Sequence, residues 1–318
     1  MTLPARKTGD TYATPTVPVQ PPPPPRPSVA PKVKLPPPPP AQRQHVAKKF
    51  AIESWTGQGE GQKTVVYGGS GLGKTTLVTL LQQYKDRVVV VGLDDGGRLI
   101  RHGKTGDALL HVPGIETFQD VRDFLQSDLL VKGDVVVIDT ITKLEELSLP
   151  FIFQTIKGDK GATCDNIEAY GFGKGYRYLL DTFRLVLSDL DALVRRGVDV
   201  VLLAQMSNAK IATAEGLDYF QEGPKLCHYN NHSSRLEVIE WADHVLRLAL
   251  HDTTVVASGP VQKGGPTKGK IVGGEVRAIY TEGQAWYMAK SRTLTDPIVS
   301  YEDVLDDTIW SLIYGDKK

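Results

Sequence analysis

Apolar residues in this chain gather in short unbroken runs separated by stretches of helical spacing. Lys63-Thr64-Val65-Val66-Tyr67, Arg87 to Leu93, Asp134 to Thr140 and Val198 to Ala204 are strand-sized. They lack the apolar–polar alternation of a half-solvated strand, as expected for parallel strands covered on both faces. Between them, Thr76 to Leu81 opens as an apolar helix, and residues 116–130 carry Phe118, Val121, Phe124 and Leu125 on one face. Tyr176 to Arg196 repeats leucine, valine and phenylalanine at helical spacing, so it reads as a core helix. Strand and helix in alternation predict an α/β domain with a mostly parallel sheet. Further on, Trp241 to Leu250 and Glu275 to Thr281 read as strands, Glu282-Gly283 as a turn and Gln284 to Ala289 as the returning strand. These add an antiparallel extension, and a short helix around Val304 to Ile313 closes the pattern. Two stretches lack periodicity: the glycine-rich 153–175 and the polar 207–238, both read as loops.

Residues 1–49 differ from everything that follows. They hold 15 of the 21 prolines and eight Lys/Arg against one acid, Asp10. Such a segment buries no core and samples extended polyproline II, so it is expected to be a disordered basic head, either a spacer or a docking ligand. The domain division expected is 1–49 head and 50–318 core, with Phe50, Ile52 and Trp55 packing at its edge. Overall the charge is zero, which leaves 29 basic and 36 acidic residues beyond the head. A globally basic nucleic-acid binder is therefore not indicated. Cys164 and Cys227 give no disulfide framework, and no apolar run is long enough to span a membrane. The expected location is the cytoplasm.

The chemistry centres on Gly68-Gly69-Ser70-Gly71-Leu72-Gly73-Lys74-Thr75, which fits G-x-x-x-x-G-K-[ST] between a strand and a helix. Glycines let backbone N–H groups close round phosphate oxygens, and the helix start adds positive potential. Lys74 is expected at the β- and γ-phosphates, Thr75 on Mg²⁺, and Thr76 completes the binding loop. Asp139, closing the Val135–Ile138 run, has the Walker B shape and would hold the Mg²⁺ shell. Gln205 ends the Val198–Ala204 run, where a polar residue can sense a γ-phosphate or simply hydrogen-bond locally. Asp94-Asp95-Gly96-Gly97 ends another run, at the side of an α/β sheet that binds ligands. Within 153–175, Lys157, Lys160, Lys174, Tyr170 and Phe172 suit either a single-strand contact or a surface loop. Cys227, His228 and His232 lack a C-x-x-C and a fourth ligand for a metal site.

In this order the features resemble the RecA-like ATPase superfamily, most similarly the phage-type RecA-like ATPases associated with single-strand annealing and recombination. The resemblance covers about residues 50–300. It implies a RecA-like P-loop core, ATP and Mg²⁺, and a homo-oligomeric ring or filament with ATP between subunits. The family's catalytic glutamate falls here on Asp95, one methylene shorter, with Asp94 beside it. Its K-x-R pair resembles Lys290-Ser291-Arg292, from which Arg292 would reach a neighbouring subunit's γ-phosphate. Its DNA-binding loops would fall within 153–175 and 206–238.

The expected activity is Mg²⁺-dependent ATP hydrolysis coupled to single-stranded DNA in recombination or annealing. The rivals are a ring-forming helicase-like motor and a nucleotide-gated adaptor with little turnover, whose head recruits a protein partner. A GTPase does not fit, because Thr142-Lys143-Leu144-Glu145 ends in Glu where N/T-K-x-D is required.

Overall fold

A computed structural model describes residues 59–94, 96–97, 100–102, 105–212, 216–251, 254–257, 269–273 and 276–317. The head, the residues Phe50, Ile52 and Trp55 expected at the edge of the core, and Asp95 lie outside the described residues.

The β-branched runs fold as expected. In chain order the elements begin with β1 (Lys63–Gly68), α1 (Lys74–Thr79), β2 (Val88–Gly92), β3 (Leu110–His111), α2 (Phe118–Leu125) and β4 (Val135–Asp139). They continue with α3 (Ile141–Thr155), α4 (Lys174–Arg195), β5 (Asp199–Ala212), β6 (Asp218–Pro224), β7 (His228–Tyr229), β8 (His232–Ser233) and α5 (Ser234–Trp241). The last are β9 (His244–Leu250), β10 (Thr254–Ala257), β11 (Gly269–Val272), β12 (Arg277–Tyr280), β13 (Lys290–Ser291), β14 (Ile298–Ser300) and α6 (Thr308–Tyr314).

Ten strands form one sheet in the order β14-β12-β9-β1-β5-β4-β2-β3, with β13 on β9 and β6 on β5. From β9 to β3 the pairing is parallel, whereas β12 and β13 pair antiparallel with β9, β14 antiparallel with β12, and β6 antiparallel with β5. β5 is inserted between β1 and β4, the RecA-like order. It sets the ends of β1 and β4 on either side of Leu203 and Gln205 of β5, at the carboxyl edge where α/β sheets bind ligands.

Alternate residues of each strand feed opposite layers. Val65, Tyr67, Val136, Ile138, Val200 and Leu202 pack beneath α2, α3 and α4, against Phe118, Leu144 and Phe183. Val66, Val135, Val137, Val201, Leu203 and Leu246 pack on α1 and α6, against Leu77, Leu81 and Trp310. Both faces are covered, so the strand runs read as continuously apolar. Each such side chain contributes about 1.5–3 kcal/mol on burial.

Several expectations need correction. Residues 207–238 are not a loop: β5 runs on to Ala212 and pairs with β6 from Met206↔Pro224 to Ala212↔Asp218. This two-stranded ribbon has alternating exposed and half-buried residues and no covered face, so no apolar alternation marked it. Within the presumed strand Trp241 to Leu250, Trp241 instead ends α5, and the strand starts at His244. The return after Glu282-Gly283 is a tight turn closed by the Gln284–Tyr287 bridge. Lys290 and Ser291, in the stretch that resembles the K-x-R pair, are themselves in a strand. They form β13, and β14 follows. α3, with Pro150 inside it, and the start of α4 at Lys174 shorten the 153–175 loop from both sides. Among the described residues no helix is long and apolar enough to cross a membrane.

Candidate functional site

The P-loop follows β1 directly because Gly68 allows it. A Cβ there would stand 2.3 Å from the Leu248 carbonyl oxygen on β9, so only glycine permits this strand spacing. Gly73 caps α1 with φ 97°, a left-handed conformation that side chains resist. The loop opens on a cavity of about 530 Å³, lined among others by Ser70, Lys74, Thr75, Asp94, Asp139 and Gln205. Three strand ends and the middle of a fourth strand thus supply one cavity: β1 the loop, β2 Asp94, β4 Asp139, and β5 Gln205 where the ribbon begins.

Lys74 Nζ donates to the carbonyl oxygens of Gly68 at 3.0 Å and Gly69 at 2.8 Å. Thr75 Oγ1 donates to Asp139 Oδ2 at 2.9 Å. Burial dominates both charged groups. It pushes the Lys74 pKa down, against the carboxylates of Asp139 and Asp94. It pushes the Asp139 pKa up, against the Thr75 hydrogen bond, while Asp94 adds to the rise and Lys74 opposes it. Both groups gain from a charged, polar ligand entering between them. A hydroxyl and a carboxylate in direct contact are also a hard-oxygen donor set that fits Mg²⁺.

Gln205 sits at the same cavity and at the root of the β5–β6 ribbon. Its backbone N–H donates to Thr142 Oγ1 on α3 at 3.1 Å, and its side-chain Oε1 accepts from Lys225 Nζ at 3.4 Å. Lys225 N also donates to Gln205 O at 2.7 Å. Nearby, Arg235 donates to the carbonyls of Ser207 and Gln221, and Glu222 pairs with Arg247 on β9 at 2.6 Å. The ribbon is therefore pinned at its base, with Phe220 and Leu217 exposed towards its tip.

Asp94 accepts from Gly96 N at 3.1 Å. Arg292 does not join the site of its own chain. Ser291 pairs with His244 whereas Gly68 pairs with Leu248, a separation of about 13 Å along β9. Arg292 Nε lies 3.2 Å from Asp243 Oδ1, and Lys290 Nζ donates to the Ile239 carbonyl at 2.8 Å. Cys227 N donates to the buried carboxylate of Glu145, and His228 Nδ1 lies 2.9 Å from Ser233 Oγ.

Two contacts on the P-loop had no signal in the sequence. Tyr301, fully buried, donates its hydroxyl to Gly73 O at 3.3 Å. Arg277 lies over the Tyr301 ring at 5.4 Å and reaches Leu72 O at 3.5 Å. Both come from more than 200 residues away, so no local pattern reveals them.

A P-loop at the end of β1, with a hydroxyl and a carboxylate beside it on the RecA-like strand order, defines a nucleotide-binding P-loop protein. Residues 60–293 match the family model described as AAA domain, AAA_24. The chain belongs to this family and is a P-loop ATPase. No curated protein matches it. Among solved structures it is similar to a prototypical ATPase from the type III secretion system of pathogenic bacteria, at 13% identity and a TM-score of 0.33. That match covers 60% of this chain, which spans about half, 52%, of the secretion ATPase. It is also similar to a KaiC-like protein of the archaeon Pyrococcus horikoshii OT3, at 13% identity and a TM-score of 0.34, covering 76% of this chain and 90% of that one.

Proposed function

We propose that this protein hydrolyses ATP with Mg²⁺ and uses the nucleotide state to set its grip on single-stranded DNA, as a homo-oligomer with ATP at the subunit interface. Lys74 and the loop amides hold the phosphates, and Thr75 and Asp139 hold the cation. When bound, the cation offsets charge on the phosphate oxygens. Asp95 orients or deprotonates the attacking water, and Arg292 of a neighbouring subunit offsets charge in the transition state.

The observation that carries the coupling is the double position of Gln205. Its side chain borders the phosphate cavity, and through Lys225 it meets the base of the β5–β6 ribbon. A γ-phosphate that draws the amide away from Lys225 alters that base, a local change with a larger readout. The DNA side is supported by exposed rings on two converging segments. Phe172 is fully exposed, Tyr229 partly so, and Tyr229 stacks on Tyr176 with centroids 3.9 Å apart. Bases stack on such rings without sequence preference. The second reading, a nucleotide-gated adaptor with little turnover, draws on the short Asp95 side chain.

Steady-state ATP hydrolysis with and without single-stranded DNA, with Lys74→Ala as the blank, separates the two. DNA-stimulated turnover that disappears in the variant supports the ATPase reading. Nucleotide binding without stimulated turnover removes the DNA coupling and favours the adaptor.

A further inference from the structure

Arg292 leaves the fold on a short mount. β13 is two residues long, yet three consecutive side chains are tied down, Lys290 to the end of α5, Ser291 to the start of β9 and Arg292 to Asp243 between them. Lys290 Nζ donates to the carbonyls of Ile239 and Glu240 at the end of α5. Arg292 is held by Asp243, through Nε at 3.2 Å and through its own amide, which donates to the Asp243 carbonyl at 3.2 Å. Ser291, between them, meets His244.

The Ser291–His244 contact has one consistent arrangement. Ser291 Oγ accepts from Thr293 N at 3.3 Å and Leu294 N at 3.0 Å. Both acceptor positions of the hydroxyl are then taken, and its single proton remains to be given. It points to His244 Nδ1, 2.9 Å away, so Nδ1 accepts. The imidazole proton is therefore on Nε2, which donates to Gln62 Oε1 at 3.2 Å. Gln62 is anchored in turn, its backbone N–H donating to Asp199 Oδ1 at 2.7 Å. His244 is 1% exposed. Burial pushes its pKa below the ordinary histidine value, and Lys290 and Arg292 add to that against Asp243. A neutral imidazole of fixed tautomer thus braces the turn 291–294 against the start of β1.

The Arg292 side chain, by contrast, is 60% exposed. A braced backbone under an exposed guanidinium suits a group that must enter a site it does not share with its own chain. We propose that His244 and Ser291 are positioning residues for Arg292, fixing the Lys290–Arg292 segment so that the guanidinium can reach the phosphates held by a neighbouring subunit. This rests on the reading above that Arg292 acts between subunits. The imidazole touches no substrate and acts only through the segment it braces.

Subunit mixing tests the two ideas separately. Lys74→Ala keeps the mount and loses the phosphate grip, whereas Arg292→Ala does the reverse. Mixed together they should recover turnover about tenfold or more over either alone, since one interface regains both parts. No recovery would overturn the intersubunit role of Arg292 and this proposal with it. His244→Ala keeps its P-loop, so mixing with Lys74→Ala should restore turnover, and that recovery also shows that the variant folds. Mixing His244→Ala with Arg292→Ala should leave turnover at the level of Arg292→Ala alone. Recovery equal to that of the Lys74→Ala and Arg292→Ala pair would overturn the positioning role and leave the intersubunit role standing. His244→Gln, with an acceptor and a donor in one amide, should supply the guanidinium as wild type does. Where His244→Ala fails to fold, Ser291→Ala carries the same test, with Ser291→Thr as its rescue.

Discussion

β4 carries an aspartate at each end, and the two live in opposite conditions. Asp134, just before the strand, is buried, yet Arg87 Nε donates to it at 3.0 Å and Val131 N at 2.8 Å. Burial alone would raise its pKa, but Arg87 and the Val131 amide outweigh that, and the net direction is down. Asp139, at the other end, is just as buried, and there burial wins. The contrast holds across the sheet. At the amino edge Asp199 pairs with Lys85 at 2.6 Å, and Asp243 Oδ2 accepts from the Lys63 backbone N–H at 3.1 Å. At the carboxyl edge, Lys74, Asp94 and Asp139 border an open cavity. Charges whose partners are supplied by the fold stabilise it. Charges left short of partners mark a place where a ligand completes the set.

Exchanging the two carboxylates for amides is the sharpest way to break this comparison. Asp139→Asn should lower ATP turnover by about 10²–10³-fold, as loss of one preorganised polar group at the reacting phosphate does. Its unfolding midpoint in urea should stay near wild type or rise, because a buried carboxylate without a full partner is gone. Asp134→Asn should do the opposite: turnover unchanged, and stability lower by about 1–2 kcal/mol, held down by the half-exposed Arg87.

The pH dependence sharpens that second case. The folded-state pKa of Asp134 is depressed, so its contribution is complete above the unfolded value, near 4, and is lost as pH falls through the folded value. The stability gap between wild type and Asp134→Asn should therefore be constant around neutrality and close in strong acid. A gap that persists there would show that shape, not charge, carries the effect.

Smaller effects test the supports of the carboxyl edge. Tyr301→Phe removes one hydrogen bond to Gly73 O, so nucleotide affinity should fall about fivefold, read by titration with a fluorescent ATP analogue. An unchanged affinity would make Tyr301 a packing residue only. Lys225→Ala should have the smallest effect. Basal turnover should hold while stimulation by single-stranded DNA drops about twofold, as loss of one exposed polar contact allows.

How much of this was legible depended on distance along the chain. The P-loop could be read because its strand, glycines, lysine and helix start lie within about twenty residues and answer to local backbone geometry. The strand positions of Asp139 and Gln205 could be read because each closes an apolar run, and the run itself predicts a buried strand. α3 escaped because its apolar residues, Ile141, Leu144 and Ile152, are interrupted by Pro150, which normally argues against a helix interior. The β5–β6 ribbon escaped for a different reason. Its residues 206–212 and 218–222 face solvent or are only half covered, so pairing there leaves no hydrophobic imprint.

The sequence by itself determined the class of chemistry: a phosphate-binding loop, the carboxylate that accompanies it, and the strands that carry both, because backbone propensity and two-sided burial act over short windows. Only the tertiary structure decided which charges meet. It brought Arg277 and Tyr301 to the P-loop, set Gln205 beside Lys225, and held Arg292 to Asp243 at the far edge of the sheet. Those outcomes follow from strand order and register. Each neighbour is chosen by how the whole sheet assembles, so no local stretch of sequence contains the choice.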